Sequence, residues 1–314
     1  MLYYIFKRVL QVIPVLIGVT LILFILMYII PEDPARLILQ KGATEQALAN
    51  LREKMGIDKP LYVQYWRYVS GLAKGDLGIS YRYRRPVNDI LAEHYPNSIR
   101  LALAAIVIEV IIGIFAGIIS AVKKYSFWDV LVTISTTLAV CVPVFWLGMM
   151  FQVIFGLKLG WLPMSGMGDG SIKYYVLPAI TLASVSTAFV ARMTRGSMLE
   201  VLSNDYITTA YAKGLPEFKV ITKHALKNAL IPVVTLIGLD LGALMGGAIL
   251  TETVFSWPGV GRTIYLAVLQ RDAPVVVGGT IVLVLIFVVM NLIVDILYAW
   301  LDPRIRFEQK ELNV

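Results

Sequence analysis

The sequence has few of the side chains that bind metals or form covalent cross-links. Its 314 residues include one cysteine and two histidines, so a disulfide within the chain is impossible and a cysteine metal cluster is not expected. Charged residues are also scarce, at 16%, whereas hydrophobic residues make up 58% and the mean hydropathy is +0.75. Soluble domains contain about 25% charged residues. This composition excludes an ordinary soluble domain and a disordered chain, and it indicates an integral membrane protein.

Motifs for catalysis and nucleotide binding are absent as well. The sequence contains no GxxxxGK[ST] phosphate-binding loop and no HExxH motif, so the chain is not expected to hydrolyse ATP or to hold a catalytic zinc. The GxG fragment at Gly259 and Gly261 follows no predicted strand and is a weak dinucleotide signal. His94 and His224 are predicted on opposite sides of the membrane and cannot share a metal. We therefore expect no enzymatic activity, no bound cofactor and no metal site in this chain.

Six stretches of mainly apolar residues are long enough to cross a bilayer as helices, which takes about 20 residues. They are residues 9–30, 99–122, 130–157, 174–191, 229–250 and 275–300. The first is too long for a removed signal peptide and lacks a small-residue cleavage site. The expected fold class is therefore an all-α integral membrane protein with six transmembrane helices.

The distribution of lysine and arginine predicts the orientation of these helices. If both ends of the chain lie inside, most of the basic residues between crossings face the cytoplasm. The short external loops then hold only Lys158, Lys173, Arg262 and Arg271. Cytoplasmic loops are enriched in basic residues, although loops longer than about 60 residues escape this rule. We predict cytoplasmic N- and C-termini, and we attribute the net charge of +7 to cytoplasmic anchoring rather than to nucleic-acid binding.

We expect four parts along the chain. Residues 1–30 form the cytoplasmic N-terminal end and the first membrane helix, residues 31–97 an external helical cap, and residues 302–314 a cytoplasmic tail. Residues 98–301 form the membrane core, which includes a cytoplasmic loop at 192–228. A connection as long as the cap is expected to have its own structure.

The external cap is predicted to contain two helices. Thr44 is placed to cap a helix that runs through Lys54 and ends at Gly56. A second helix at 61–73 carries four aromatic residues, Tyr62, Tyr65, Trp66 and Tyr68. These rings either pack at the membrane interface or dock an external partner. Three arginines follow, Arg82, Arg84 and Arg85, and they are either solvated or a site for an acidic partner.

The cytoplasmic loop has the pattern of two short helices joined by a turn. Asn204 or Asp205 can cap a helix over 206–212, and Gly214 would end it. Pro216 is tolerated at the first position of the next helix, which would continue into the fifth crossing. The small residues at the turn leave a compact tip. We interpret the helix and turn of this loop as a small protrusion, here called the knob, that a partner protein binds. The alternative is an amphipathic interfacial helix.

The fifth crossing combines a glycine stripe with an acidic residue. Gly238, Gly242 and Gly246 repeat every four residues, which predicts close packing against another helix. Asp240 lies about 200° round the helix from Gly238 and points away from that neighbour. Ionisable groups inside a bilayer usually face water or a partner. Asp240, and Glu109 in the second crossing, are therefore candidates for lining a translocation pathway, with a structural pairing as the alternative.

The stretch DYITTAYAKGLPEFKVITKHALKNALIP at 205–232 resembles the cytoplasmic EAA loop of bacterial ABC importer permeases. It is most similar to the dipeptide/oligopeptide/nickel permease family, with Gly214 at the central glycine. Thr208 and Thr209 replace the Glu-Ala of the general loop and Lys227 replaces a proline, as in the peptide/nickel branch. Further motifs of that family occur in order along the chain: KRVLQVIPVLIGVTLILF, PEDPAR, GIDKPLYVQY, GDLGIS, PVFWLGM, RMTRGSMLEVL, ETVFSWPGVGR, RDAPVV and DPRIR.

This resemblance implies the type I ABC importer permease fold and the first of two permease subunits in a bacterial inner membrane. The implied partners are a second, related permease, two ATP-binding subunits that use ATP and Mg²⁺, and an extracytoplasmic binding protein. The residues implied to form the coupling helix are Ala210, Tyr211, Ala212, Lys213, Gly214, Leu215 and Pro216. The implied substrate is a dipeptide or short oligopeptide, or alternatively a nickel chelate. From the residues alone, a stand-alone secondary transporter or channel and a membrane-bound sensor remain alternatives.

Overall fold

The computed structural model describes residues 2–29, 35, 39, 44–55, 58–245 and 248–301. The regular elements among these residues are helices, and Ile79 and Pro86 form an isolated antiparallel bridge. The helices are α1 (Leu2–Ile29), α2 (Glu45–Met55), α3 (Leu61–Ala73), α4 (Val87–Ile108), α5 (Ile114–Val122), α6 (Phe127–Cys141), α7 (Val144–Phe151), α8 (Ile172–Leu202), α9 (Asp205–Ala212), α10 (Glu217–Lys219), α11 (Leu226–Met245), α12 (Ile249–Val254), α13 (Val260–Leu269) and α14 (Ala273–Leu301).

Three π-helical segments extend these helices within the described chain. Glu109–Gly113 joins α4 to α5, Gln152–Lys158 continues α7, and Val220–Ala225 joins α10 to α11. A π-helical segment adds a residue to a helical turn and is frequent at functional sites. The first segment begins at Glu109, one of the two acidic residues that the sequence singled out.

Four described helical stretches are long and apolar enough to cross a membrane, namely Val87–Val122, Ile172–Leu202, Glu217–Leu244 and Ala273–Val294. They overlap the second, fourth, fifth and sixth predicted crossings. The fifth was expected to reach residue 250, but Ala248, with φ −85° and ψ 54°, is not helical and Ile249 begins another helix. Residues 9–29 of the first predicted crossing lie in α1, where Ile13–Ile25 is a shorter apolar stretch, and residue 30 lies outside the described residues. The count of six transmembrane helices and the cytoplasmic position of both ends stay predictions.

The third predicted crossing is not one helix. α6 and the helical stretch Val144–Lys158 meet at an angle of 107°. Proline lacks a backbone N–H and pushes the residue before it out of the α conformation. Accordingly, Val142 has φ −90° and ψ 128°, and Pro143 has φ −59° and ψ 130°. The expectation of a continuous helix over 130–157 was therefore wrong, and Pro143 is the physical reason.

Two helices extend well beyond the predicted crossings. α4 begins at Val87, twelve residues before the predicted start at residue 99, and α8 ends at Leu202, eleven residues after the predicted end at residue 191. Hydropathy marks the part of a helix that suits a bilayer, whereas a helix ends where its backbone turns. The first part of the predicted cytoplasmic loop is therefore the last three turns of α8.

The chain forms two compact units. Unit 1 comprises Met1–Asn97 and Pro258–Ile286, and unit 2 comprises Ser98–Trp257 and Phe287–Val314. In unit 1, Val87 and Leu91 of α4 pack with Val260 and Ile264 of α13 and with Val275 of α14. These side chains are buried and form the apolar core of that unit.

The two helices predicted in the external cap are present in unit 1. The hydroxyl oxygen of Thr44 accepts a hydrogen bond from the backbone N–H of Ala47 at 3.3 Å, as expected for an N-cap. Gly56, the predicted end of that helix, lies outside the described residues. α3 has the predicted bounds of 61–73, and its Tyr65 and Tyr68 pack against Phe24 of α1 with ring centroids 5.2 and 6.1 Å apart.

A buried aspartate fixes the turn that carries the three arginines. The Asp272 carboxylate accepts hydrogen bonds from the Ser80 hydroxyl at 2.5 Å and from the backbone N–H groups of Tyr81 and Arg82 at 3.1 and 3.3 Å. The side chain of Asp272 is buried in unit 1. One carboxylate therefore satisfies three donors of the 80–86 turn and holds it against the start of α14.

Unit 2 is built around α8. The neighbours of α8 in this unit include α5, α6, α7 and α11. Small residues permit the closest of these contacts. A Cβ added to Gly113 would lie 2.7 Å from Cγ1 of Val190, so glycine is required there for the helices to approach.

Candidate functional site

The predicted knob is a short helix that ends in a left-handed turn. α9 runs from Asp205 to Ala212, and Gly214 follows with φ +75°. The N–H of Gly214 donates to the carbonyl oxygen of Tyr211 at 2.9 Å, and the N–H of Leu215 donates to that of Ala210 at 3.4 Å. This pattern is typical of a helix that ends at a glycine, because glycine adopts a positive φ without steric cost.

Two details of the loop differ from the sequence expectation. Asn204 occupies the N-cap position of α9, but its side chain does not cap that helix. Its amide nitrogen instead donates to the carbonyl oxygens of Glu200 and Val201 at 3.3 Å, at the end of α8. Pro216 is the N-cap residue of α10 rather than its first residue, although the start of that helix at Glu217 agrees with the sequence prediction. The Asn204 side chain therefore caps the C-terminal end of α8 and not the N-terminal end of α9. Sequence spacing alone cannot distinguish these two roles.

The inner face of the knob is anchored on an apolar cluster of unit 2. Ile207 and Ala210 of α9 are buried against Met198 of α8, and also against Val220 and Ala225 of the following π-helical segment. At one edge, the Asn228 side-chain amide donates to the Tyr206 hydroxyl at 2.9 Å. α9 is therefore fixed to α8 and to the start of α11, so it moves with them.

The outer face of the knob is exposed. Of the seven residues implied for coupling, Ala210 is buried and Leu215 is partly buried, while the others are exposed, namely Tyr211, Ala212, Lys213, Gly214 and Pro216. Phe218, just beyond the turn, is 79% exposed. The outer face of the knob is therefore a small turn with an exposed aromatic ring beside it.

An ion pair fixes the C-terminal part of α8, which leads to the knob. The Asp129 carboxylate accepts hydrogen bonds from Arg195 Nε and Nη2 at 2.7 and 2.9 Å. It also accepts from the Ser120 hydroxyl at 2.5 Å and the Tyr125 backbone N–H at 2.9 Å. The sequence interpretation missed this pair. The signal that could have indicated it is Asp129, a single acidic residue just before the apolar run at 130–157. The pair ties α8 to the turn between α5 and α6.

The glycine stripe of α11 lies against α14 within unit 2. A Cβ on Gly238 would lie 2.8 Å from Cγ1 of Val294, whereas a Cβ on Gly242 would meet its nearest neighbour, Asn291, at 3.6 Å. Gly246 lies outside the described residues. Gly238 therefore makes the tighter contact of the two described glycines.

The two candidate pathway acids lie on elements that pack in one cluster. Glu109 is fully buried and Asp240 of α11 is half-buried, and Ala105 and Leu244, each one helical turn from one of the acids, belong to the same buried cluster. Among the described residues, neither Glu109 oxygen has a hydrogen-bond partner, and Asp240 Oδ2 has none either. Sequence reasoning selected both acids, but only the fold brings them together. Buried polar atoms without partners are rare and mark a candidate functional position.

Two family models cover most of the chain. Residues 113–307 match the binding-protein-dependent transport system inner membrane component, and residues 1–102 match the N-terminal part of such membrane components. The chain belongs to this family. It is a multi-pass permease of the inner membrane, of the ABC importer class, so the resemblance stated from the sequence is confirmed. Permeases of this family work with a partner permease, an ATPase and a binding protein.

Full-length relatives agree with the family models. The chain is 46% identical to the dipeptide transport system permease DppB of Alkalihalophilus pseudofirmus, over 98% of this chain and 100% of the relative. It is 42% identical to the glutathione transport system permease GsiC of Escherichia coli (strain K12), with the same coverage. These relatives are transport permease subunits rather than enzymes.

A solved structure supports the fold. An inward-facing form of the MetNI methionine ABC transporter matches 68% of this chain and 96% of its own chain, with a TM-score of 0.57 and 17% identity. At this identity the match shows a shared permease fold. The helical architecture described above is therefore that of an ABC importer permease.

Proposed function

We propose that the chain is the membrane-spanning subunit of an ATP-driven importer that moves dipeptides or short oligopeptides into the cytoplasm. The observation that carries this proposal is the full-length similarity to a dipeptide permease and a glutathione permease. Glutathione is itself a short peptide, so both relatives act on the same chemical class. A nickel chelate is the alternative substrate, and a stand-alone transporter or channel is the more distant alternative function.

The importer is a complex in which this chain is the first of two related permeases. Six helices of this chain cross the membrane, and both ends lie in the cytoplasm. Two ATP-binding subunits lie on the cytoplasmic face and use ATP and Mg²⁺, and a binding protein delivers substrate from outside. Residues 31–97 form the external cap, where the turn held by Asp272 is available to the binding protein.

The knob at α9 couples the permease to the ATP-binding subunits. Its exposed residues, from Tyr211 to Pro216, lie in a groove of an ATP-binding subunit. Because Ile207 and Ala210 anchor the knob on α8, a displacement of the knob moves the helices as a rigid body. The Asp129–Arg195 pair supports this role because it fixes the same part of α8.

Asp240 and Glu109 belong to the translocation pathway. Asp240 is half-buried and contacts the pathway directly, whereas Glu109 is fully buried behind it and acts through Asp240. Acidic groups at membrane depth are costly and are usually retained for transport or for pairing. We expect Asp240→Leu to impair transport without loss of assembly, and normal transport by that variant would exclude Asp240 from the pathway.

The test is uptake and ATP hydrolysis by the complex, purified from its native membrane and reconstituted with its binding protein. The panel contains dipeptides, tripeptides, longer peptides, and nickel with small chelators. If short peptides are taken up and stimulate ATP hydrolysis, the proposal is supported. If nickel alone does so, the chain belongs to the metal branch. Gly214→Trp is expected to leave expression intact and to uncouple ATP hydrolysis from uptake, so that ATP is hydrolysed without transport. Normal uptake by Gly214→Trp would exclude the coupling role.

A further inference from the structure

Glu109 is an ionisable side chain that the fold buries without a partner. It begins the π-helical segment, is fully removed from solvent, and has no hydrogen-bond partner on either oxygen among the described residues. Transfer of an ionised carboxylate into such surroundings is unfavourable unless another group compensates its charge. The protonated, neutral carboxyl is therefore the favoured form of an isolated Glu109.

The group that faces Glu109 is another acid. Leu244, one helical turn after Asp240, packs in one buried cluster with Ala105, one turn before Glu109, so the two acids lie at the same level of the packed helices. Asp240 Oδ2 is also buried without a partner in the described part of unit 2. The surroundings are apolar, with a cluster formed by Ala102, Ala105, Ala183 and Leu244. Two adjacent carboxylates repel each other, so full ionisation of the pair is more costly than ionisation of either member alone.

No basic side chain of the surrounding helices can neutralise the pair. Residues 101–122, 174–191, 228–245 and 287–301 contain no lysine, arginine or histidine, and the charged residue in the part of α14 that packs on α11 is a further acid, Asp295. The nearest basic residues on α8 are engaged elsewhere, since Arg192 lies over the Phe189 ring and Arg195 pairs with Asp129. On α4 and α11 the nearest in sequence are Arg100, nine residues before Glu109, and Lys227, thirteen residues before Asp240, which are about 2.5 and 3.6 helix turns away. Within the described part of unit 2, a proton from solution is therefore the positive charge available to the pair.

We propose that Glu109 and Asp240 form a proton-binding site in which the two carboxyl groups share one proton. Binding takes a proton from water, forms one O–H bond, and leaves the pair with one negative charge instead of two. Half-buried Asp240 is the member through which the proton enters and leaves, and Glu109 is the buried member. The shared proton holds the π-helical segment against α11.

The site has a mechanical consequence for the permease. α11 continues from the knob through Val220–Ala225, so a change at Asp240 occurs on the helix that leads to the knob. When the shared proton is lost, both carboxylates are charged and repel each other. The contact between α11 and the π-helical segment is then weakened. The protonated pair therefore favours the conformation described here, and alkaline pH disfavours it.

Infrared spectroscopy tests the proton directly. The permease is labelled with ¹³C and assembled with unlabelled partners, so that its carboxyl bands are separated from theirs. A carboxylic-acid C=O band from the labelled chain is expected at neutral pH and is lost at alkaline pH. Absence of that band in the wild-type complex would overturn the proposal, and this measurement needs no substitution. Glu109→Gln is expected to remove the pH-dependent part of the band. If that part persisted in Glu109→Gln, the assignment of the proton to the Glu109–Asp240 pair would be overturned.

A second buried acid provides the matched control. Glu252 of α12 is buried in unit 2 and accepts a hydrogen bond from the Ser98 hydroxyl at 2.6 Å. Glu252→Gln is therefore expected to keep the pH-dependent band of the wild type. If this control lost the same band as Glu109→Gln, the proton would not belong to the pair.

The mechanical consequence is tested by uptake, and only this measurement rests on the proposed function. The uptake rate, normalised for each variant to its own maximum, is measured from about pH 6 to about pH 9. We expect a several-fold decline in the wild type and in Glu252→Gln, and a flatter profile in Glu109→Gln. Identical profiles for all three would overturn the role of the proton in transport. A complex that imports no peptide refutes the proposed function, while the infrared result still decides whether the proton site exists.

Discussion

Gly117 of α5 lies directly against Thr194 of α8. A Cβ added to Gly117 would lie 2.5 Å from the Thr194 Cβ and 2.6 Å from the carbonyl oxygen of Ala191. The second obstacle is backbone, so no rotation of a side chain can relieve it. The two helices can approach this closely only because residue 117 has no side chain.

Gly117→Ala is therefore expected to destabilise the permease. Inserting a methyl group into a packed contact costs about 1–3 kcal/mol. The measurement is the thermal unfolding of the detergent-solubilised complex. Gly196→Ala is the matched control, because Gly196 is also helical but has no atom within 4 Å of an added Cβ. Alanine there is expected to be neutral or to stabilise by about 0.5–1 kcal/mol. Equal effects of the two substitutions would contradict the packing argument.

The ion pair between Asp129 and Arg195 makes a second prediction. Asp129→Asn removes the charge and leaves a guanidinium whose side chain is only 29% exposed. Loss of one member of a buried pair costs about 3–5 kcal/mol, and partial exposure of Arg195 reduces the expected cost to about 2–3 kcal/mol. The measurement is again thermal unfolding of the complex. The double variant Asp129→Asn/Arg195→Gln is expected to lose less stability than the sum of the losses in the two single variants.

An exposed pair supplies the control for that experiment. Arg85 and Glu93 are 3.0 Å apart, with side chains 47% and 60% exposed. Glu93→Gln is expected to change stability by less than about 1 kcal/mol, because water screens an exposed pair. A loss at Glu93 as large as that at Asp129 would mean that burial does not determine the strength of either pair.

The sequence predicted most helices correctly because their limits have local causes. Helix α3 begins after Pro60 and has the predicted bounds, and α9 ends before Gly214 as expected. The bend at Pro143 also has a local cause, but hydropathy averaged over 130–157 concealed it. The early start of α4 could not be predicted from hydropathy, because its first eleven residues belong to unit 1 and are mixed in polarity.

The site could be predicted only in part, because pairing between distant residues cannot be determined from one sequence. Asp129 and Arg195 are 66 residues apart in the chain, and no spacing rule joins them. Glu109 and Asp240 were selected separately, as acids in apolar stretches. Their mutual approach depends on how the π-helical segment Glu109–Gly113 and α11 pack on α8, which is a property of the fold.

Hydrogen exchange tests the role of Asp272 in the external turn. Asp272→Ala removes both carboxylate oxygens, so the backbone N–H groups of Tyr81 and Arg82 both lose their acceptor. Their exchange is expected to accelerate by about tenfold, which corresponds to about 1.4 kcal/mol for a hydrogen bond to a charged group. Asp76→Ala is the matched control, because Asp76 accepts from the N–H of Gly78 at 2.8 Å. It should accelerate exchange at Gly78 alone, and unchanged exchange at Tyr81 in Asp272→Ala would contradict the role of Asp272.

Two substitutions at Gly214 separate backbone conformation from side-chain size. Gly214 has φ +75°, yet an added Cβ would meet no atom within 4 Å. A β-branched residue in this conformation costs about 1–2 kcal/mol, whereas asparagine adopts it more readily. Gly214→Val is therefore expected to distort the turn and to lower the ratio of uptake to ATP hydrolysis, while Gly214→Asn, of comparable volume, retains most of that ratio. If both variants lost coupling equally, the exposed surface of residue 214 would be the feature that matters. If neither lost it, the left-handed turn would not contribute to coupling.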